Sequence, residues 1–159
     1  MSTQAQDLTV RKSVTVNCSQ ERAFDVYTAG ISSWWPLETH SIGGMGDERP
    51  TEAVFEPGVG GRLFERMAGG EENEWAKVLV WEPPHRFVID WHVNPDDPPT
   101  EVEVTFTAEG DSTRVDLQHR GWERFGDRAS EASGGYNSGW ESVLAHFVQA
   151  ATDERSNDE

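Results

Sequence analysis

The sequence predicts a single α+β domain in which an antiparallel β-sheet is covered by one long C-terminal helix. Six segments between residues 51 and 120 alternate apolar and polar side chains and are separated by short Gly, Pro, Asn and Asp turns. A segment within 128–152 instead spaces its apolar residues three and four apart, as an amphipathic helix does. Because hairpin-length turns join neighbouring strands, the sheet is expected to be an antiparallel meander.

The N-terminal segment predicts one strand followed by two helices. Residues 10–16 alternate as a half-buried strand does. Ser19 has the residue type and position of an N-cap, and the helix after it is predicted over 20–29 with Gly30 at its end. The stretch "ISSWW" at 31–35 predicts a second, short helix.

Six strands are predicted after a loop at 36–50. In the third of them alternation does not decide which face is buried, because Trp75 and Trp81 compete with Val78 and Val80. The predicted strands are Thr51–Glu56, Gly61–Met67, Glu74–Glu82, His85–Val93, Glu101–Ala108 and Thr113–Arg120.

Composition and charge exclude several classes of function. The 159 residues carry a net charge of -16, which argues against nucleic acids and anionic membranes, since both require clustered Lys and Arg. The single cysteine permits no intramolecular disulfide, and the five histidines show no metal-ligand spacing, so no metal site is expected. Without an apolar run of about 20 residues or a signal-peptide pattern, a cytoplasmic protein is expected. One domain, 1–159, is predicted, with a core at about 8–152 and frayed polar ends.

Six stretches follow one another along the chain: "VTVNCSQERAFDVYT", "WWP", "EPGVGGRLFER", "VLVWEPPHRFVIDW", "VTFTAEGDSTRVDLQHRGW" and "GWESVLAHF". In this order and spacing they resemble the SRPBCC (START-like, birch-pollen-allergen-like) superfamily, in its branch of homologues of the activator of the heat-shock-protein ATPase. The resemblance implies the helix-grip fold, a curved sheet wrapped around the C-terminal helix in the order β-α-α-β6-α. It also implies a cavity for apolar or amphipathic small molecules, and no cofactor is expected. It does not imply one reaction, because members include lipid carriers, cyclases, hydrolases and hormone receptors.

The strand at 61–67 must bury a charge whichever face is inside. One face carries Arg62, Phe64 and Arg66, and the other carries a carboxylate, Glu65, between Leu63 and Met67. Two buried arginines would each cost several kcal/mol without partners, whereas a carboxylate can be protonated or find a donor. Burial costs and the family pattern therefore place Glu65 inside, with Phe64 half-exposed on the outer face.

Glu65 and His119 are the two polar candidates for the interior, and a purely structural role is the alternative for each. His119 shares the inward parity of Val115 and Leu117. Seven tryptophans exceed the needs of a core this size, and aromatic walls with few polar groups suit a ligand pocket. The candidate ligand-contacting residues are Trp35, Leu63, Glu65, Trp75, Trp91, Phe106, His119, Trp122, Tyr136, Trp140 and Val143.

Three functions follow from these residues. The first is a binding protein for a small apolar or aromatic molecule, as a monomer or weak homodimer. The second is a cyclase-, dehydratase- or hydrolase-type enzyme with Glu65 and His119 as acid and base. The third is a chaperone-associated interaction protein, suggested by the half-exposed Phe64 and by the family resemblance. The sequence leaves the ligand, any reaction and the open end of the cavity undecided.

Overall fold

A computed structural model describes residues 9–35, 50–67, 69–92 and 99–157. Seven strands form one curled antiparallel sheet in the order β1-β7-β6-β5-β4-β3-β2. The predicted α+β helix-grip arrangement is confirmed. The polar residues 1–8 and most of the predicted loops at 36–50 and 94–99 lie outside the described residues.

The observed first and last residues of the strands are close to the predicted ones. Two differences concern the C-terminal part: a 3₁₀ segment, Trp122–Arg128, precedes the long helix, and that helix continues past 152 to Asn157. The elements are β1 (Val10–Val16), α1 (Gln20–Tyr27), a 3₁₀ helix (Ile31–Ser33), β2 (Pro50–Phe55), β3 (Arg62–Met67), β4 (Glu72–Glu82), β5 (Arg86–Trp91), β6 (Thr100–Glu109), β7 (Ser112–Arg120) and α2 (Ala129–Asn157).

Helix α1 begins at the predicted cap. The Ser19 hydroxyl accepts a hydrogen bond from the Arg22 amide at 3.2 Å, which satisfies one of the free N–H groups of the first turn. The helix ends at Tyr27, shortly before the predicted stop at Gly30. Its buried side chains are Ala23, Phe24, Val26 and Tyr27.

The turn between β2 and β3 requires glycine. A Cβ atom on Gly61 would lie 2.4 Å from the Glu56 carbonyl oxygen, which no side chain tolerates. Gly60 adopts a φ of +90°, a conformation that residues with side chains rarely adopt. The "GVGG" stretch is therefore the hairpin turn that the sequence predicts.

Strand β4 carries two β-bulges, and these explain why its alternation is ambiguous. Trp75 is an extra residue opposite β3, where Leu63 pairs with Ala76 but Phe64 pairs with Glu74. Leu79 is an extra residue opposite β5. Each bulge shifts the alternation by one residue, so Trp75 and Val78 are both buried although their parity differs.

Helix α2 packs against the concave face of the sheet, as the apolar stripe predicts. Trp140, Val143, Leu144, Phe147 and Ala151 are all buried. On the sheet, the predicted inward residues of β5, β6 and β7 are buried too. These are Phe87, Ile89, Trp91, Val102, Val104, Phe106, Thr113, Val115, Leu117 and His119.

Strand β3 buries Leu63, Glu65 and Met67, as predicted, but the expectation that Phe64 is half-exposed is wrong. Phe64 is 2% exposed on the outer face. The guanidinium carbons of Arg62 and Arg66 lie 4.2 and 5.4 Å from its ring centroid. Glu72 accepts hydrogen bonds from both arginines, at 3.1 and 3.3 Å, and so fixes them over the ring.

Replacing Phe64 by alanine is therefore expected to lower the free energy of unfolding by about 3 kcal/mol, because it removes a buried ring. The matched control is Leu79→Ala, which truncates a side chain that is 42% exposed and should change it by less than about 0.5 kcal/mol. Urea unfolding followed by circular dichroism measures both. Equal effects of the two variants would contradict the covered position of Phe64.

Candidate functional site

Four indole rings from different parts of the chain meet between the sheet and α2. Trp35 follows the 3₁₀ helix, Trp75 lies on β4, Trp91 on β5 and Trp140 on α2; we call these four the tryptophan cluster. The Trp35 ring centroid lies 5.0, 6.3 and 5.9 Å from those of Trp75, Trp91 and Trp140. All four residues are buried. Alternation assigns no face to Trp75, and the bulge in β4 turns its side chain toward the cluster.

Glu65 borders the tryptophan cluster and is completely buried. Its Oε1 accepts a hydrogen bond from the Trp75 indole N–H at 2.8 Å, and its Oε2 accepts one from the Asn73 side-chain amide at 2.9 Å. Asn73 lies directly opposite Glu65 in the β3–β4 ladder. The carboxyl group is therefore fixed in orientation by neighbours on the adjacent strand.

His119 is also completely buried, and both its ring nitrogens have partners. The Trp140 indole N–H donates to Nδ1 at 3.0 Å, and Nε2 lies 2.6 Å from the Thr100 hydroxyl. An indole can only donate, so Nδ1 is the unprotonated nitrogen and Nε2 carries the hydrogen that is donated to Thr100. This bond network ties α2 to β6 and β7.

Burial lowers the pKa of His119 from 6.5 to about 3. The imidazole is therefore neutral at physiological pH, and its one hydrogen is already donated to Thr100. A group in this state is a poor proton carrier, because it neither holds an exchangeable charge nor has an available lone pair.

The remaining candidate residues fall into the same interior at different depths. Tyr136 is half-buried on α2, and its hydroxyl accepts from the Trp91 indole N–H at 3.0 Å. Trp122 is buried against the His119 ring, with centroids 4.4 Å apart. The other three predicted residues, Leu63, Phe106 and Val143, are buried in the same hydrophobic core.

The structure does not bring Glu65 and His119 together. They lie on β3 and β7, with β4, β5 and β6 between them. Trp75 and Trp91 occupy the space between, since the Trp75–Trp91 and Trp91–His119 ring centroids are 6.2 and 6.0 Å apart. Two indole rings therefore separate the two polar side chains in this arrangement.

Sequence reasoning missed the partners of both polar candidates, Asn73 and Thr100. Asn73 could be found only from the β3–β4 register, which depends on the length of the turn and on the bulge at Trp75. Thr100 precedes the predicted start of its strand, at Glu101.

Within the described residues, no group of three His, Cys, Asp or Glu side chains is arranged to hold a metal ion. No described helix is both long enough and apolar enough to cross a membrane.

A family model described as "Activator of Hsp90 ATPase homolog 1-like protein" matches residues 17–152. The chain belongs to this family. The branch inferred from the six stretches is thus confirmed. No curated protein matches the chain.

Several solved structures resemble this member of the family. The anthrahydroquino-γ-pyrone synthase Txn09, complexed with SUM, is 39% identical over 76% of this chain and 81% of that chain, with a TM-score of 0.54. The self-sacrificing resistance protein CalC from Micromonospora echinospora is 29% identical over 93% and 96%, with a TM-score of 0.67. Protein MLL2253 from Mesorhizobium loti is 21% identical over 89% and 94%, with a TM-score of 0.64, a likeness in fold alone.

The depressed pKa of His119 predicts a pH dependence of stability. Unfolding returns His119 to water, where its pKa is 6.5, while the folded value is about 3. Between these values the unfolded chain binds a proton that the folded chain does not, so stability falls as pH falls through this window, by up to about 1.4 kcal/mol per pH unit. Above the unfolded pKa the contribution is fully present.

Urea unfolding between about pH 5 and about pH 6.5 tests this contribution, because most carboxylates remain ionised there. His119→Gln is expected to reduce the slope of the unfolding free energy against pH, because it removes the nearly one proton that the unfolded wild type takes up at the lower end of this range. His146→Gln, which changes an exposed histidine on α2, should leave the slope unchanged. The same slope in His119→Gln and wild type would refute the neutral buried state.

Proposed function

We propose that this protein binds a planar aromatic small molecule between the sheet and α2, against the tryptophan cluster and within reach of Glu65. The observation that carries the proposal is a fully buried carboxyl group among indole rings, held in place by Asn73 and Trp75. Aromatic walls with a few fixed polar groups are the usual composition of small-molecule sites. The 39% identity to a synthase for a polycyclic aromatic product supports the same ligand class.

A ligand reaches Glu65 by taking the place of an aromatic side chain, because the carboxyl group is covered in this structure. Trp35 is the member of the tryptophan cluster that lies outside every helix and strand. Its displacement leaves the sheet and α2 intact, and its departure uncovers the faces of Trp75, Trp91 and Trp140. The ligand then stacks where Trp35 did.

The chaperone-associated function loses its structural support. Of its two grounds, the half-exposed Phe64 is lost, because that ring is covered by Arg62 and Arg66, and the family membership remains. Among the described residues, the exposed large apolar side chains are Val59 and Leu79, two isolated aliphatic groups. Singly exposed apolar residues are ordinary on protein surfaces.

Binding of 2-hydroxyanthraquinone, measured by isothermal titration calorimetry and thermal shift, tests the proposal. Wild type is expected to bind it more tightly than 9,10-anthraquinone, because the phenol donates to Glu65. Glu65→Gln should weaken its binding by up to about tenfold, the upper end of the range for one hydrogen bond. The glutamine oxygen can still accept from Trp75, and a rotated Asn73 amide can still pair with it, so the fold is retained.

The control is Glu71→Gln, which removes a carboxylate from an exposed turn and should leave the affinity unchanged. Failure of planar aromatic compounds to stabilise the wild type would overturn the proposal. Equal affinity of wild type and Glu65→Gln for both compounds would remove Glu65 from the site while leaving the binding function standing.

A second candidate function, a ring-forming enzyme, is favoured by the identity to Txn09. In this function Glu65 alone moves the proton, because His119 is neutral and bonded at both nitrogens. A 2-hydroxyaryl 1,3-diketone tests it: the phenol oxygen adds to the distal carbonyl, water leaves, and a γ-pyrone forms. Absorbance should report ring closure that wild type accelerates and Glu65→Gln does not. Binding of the diketone without acceleration would leave only the binding function.

A further inference from the structure

The first two turns of α2, Ala129–Tyr136, bury little side-chain surface, and we call them the α2 start. Their buried side chains are two small ones, those of Ala129 and Ser133. Farther along, the helix buries large apolar side chains instead. These are Trp140, Val143, Leu144 and Phe147. Because stabilisation by burial grows with the apolar area covered, the α2 start contributes little to the packing that holds the helix on the sheet.

Two glycines of the α2 start, Gly134 and Gly135, have no packing reason to be glycine. Both are exposed, and a Cβ atom added to either would have no atom of the described residues within 4 Å. Neither has a positive φ, so the backbone conformation does not require glycine. In a helix interior glycine is about fivefold less favourable than alanine. The sequence thus weakens the helix at a point where alanine would fit.

The residues around these glycines weaken the helix further. The stretch "ASEASGGYNSG" at 129–139 is rich in serine and also contains asparagine, and both residue types favour turns over helix interiors. Just before the α2 start, Gly126 adopts a φ of 60° and a ψ of -127°, which places a kink between the 3₁₀ segment and the helix. Sparse packing and low helix propensity are properties of segments that open locally while the rest of a protein stays folded.

Tyr136 fastens the α2 start to the sheet at the tryptophan cluster. Its hydroxyl accepts a hydrogen bond from the Trp91 indole N–H at 3.0 Å. Its ring centroid lies 4.8 and 5.3 Å from those of His119 and Trp122. The Trp91 ring in turn lies 6.3 Å, between centroids, from Trp35, whose place the proposed ligand takes. Opening of the α2 start therefore uncovers the Trp91 side of the tryptophan cluster.

We propose that the α2 start is a lid, which unwinds as a unit, releases Trp91 and admits the planar aromatic ligand to the tryptophan cluster. The turns from Trp140 onward stay in place. The lid closes again over the bound ligand, so it sets the rates of binding and release and leaves the affinity unchanged. Admission of the ligand rests on the proposed binding function, whereas the opening is a property of the chain itself. Two measurements test the two statements separately.

Hydrogen exchange of the ligand-free protein, followed by NMR, tests the opening. In an α-helix the amides of residues 133–140 bond to the carbonyl groups of the lid. They are expected to be protected on the order of 100-fold less than the amides of residues 143–151. Replacing Gly134 and Gly135 together by alanine should raise the protection of the lid amides by roughly twentyfold, the product of two factors of about five.

The control is Ser142→Ala, which raises the helix propensity at an exposed position beyond the lid. It should leave the protection of the lid amides unchanged. Equal protection along the whole helix, or a comparable rise in protection in Ser142→Ala, would show that α2 opens as one piece and would overturn the lid.

Stopped-flow measurement of tryptophan fluorescence with 2-hydroxyanthraquinone tests admission. The double alanine variant should bind and release the compound roughly twentyfold more slowly. Its affinity should stay within about twofold of wild type, because the lid is closed in both the free and the bound state. Tyr136→Phe removes the acceptor of the Trp91 N–H, loosens the closed lid and should speed association by about three- to tenfold. Ser142→Ala should change neither rate.

The outcomes separate the lid from the binding function. Unchanged association in the double alanine variant, with its lid amides more protected as expected, would remove the lid from the path of the ligand. That result would overturn the proposal and leave the binding function standing. If neither 2-hydroxyanthraquinone nor any other planar aromatic compound binds wild type, the binding function fails and admission fails with it. Hydrogen exchange then still decides whether the lid opens.

Discussion

The burial of indole rings imposes the constraint on which the rest of the interior depends. Each ring carries one N–H donor, and a buried donor without an acceptor costs about 1–3 kcal/mol. Trp75 finds its acceptor in Glu65, and Trp140 finds one in the Nδ1 atom of His119. The two ionisable side chains, Glu65 and His119, therefore serve in the core as acceptors for buried indole N–H groups. These hydrogen bonds set the orientation of both side chains, whereas burial keeps His119 neutral.

The order of elements could be predicted from the sequence because strands β5, β6 and β7 pair with one another without irregularity. There each side chain keeps the face that alternation assigns to it, and Trp91, Phe106 and His119 are inside as expected. Strand β4 could not be predicted in this way. Its two extra residues, Trp75 and Leu79, appear only when its register against both neighbours is known. A bulge has no characteristic amino-acid composition, so hydrophobic periodicity does not reveal where one lies.

In the candidate site, too, the face on which a residue lies could be predicted from the sequence, but its hydrogen-bond partner could not. The inward position of Glu65 follows from the relative cost of burying one carboxylate or two arginines, but its partner Asn73 follows only from the strand register. The prediction that Phe64 is half-exposed was wrong, because alternation assigns a side chain to a face of the sheet and says nothing about long neighbouring side chains that fold over it. Arg62 and Arg66 bury the ring with their guanidinium planes while remaining near solvent themselves.

The two polar centres are not equivalent, and this limits the chemistry that the interior can perform. Four strand spacings of about 4.8 Å separate β3 from β7 along the sheet, and indole rings fill the space between. Both ring nitrogens of His119 are occupied, by Trp140 and Thr100, so its lone pair is not available to a ligand. In the proposed ring-forming function, proton transfer is therefore assigned to Glu65. An enzyme of this design depends on its substrate or on water for the second proton-transfer group.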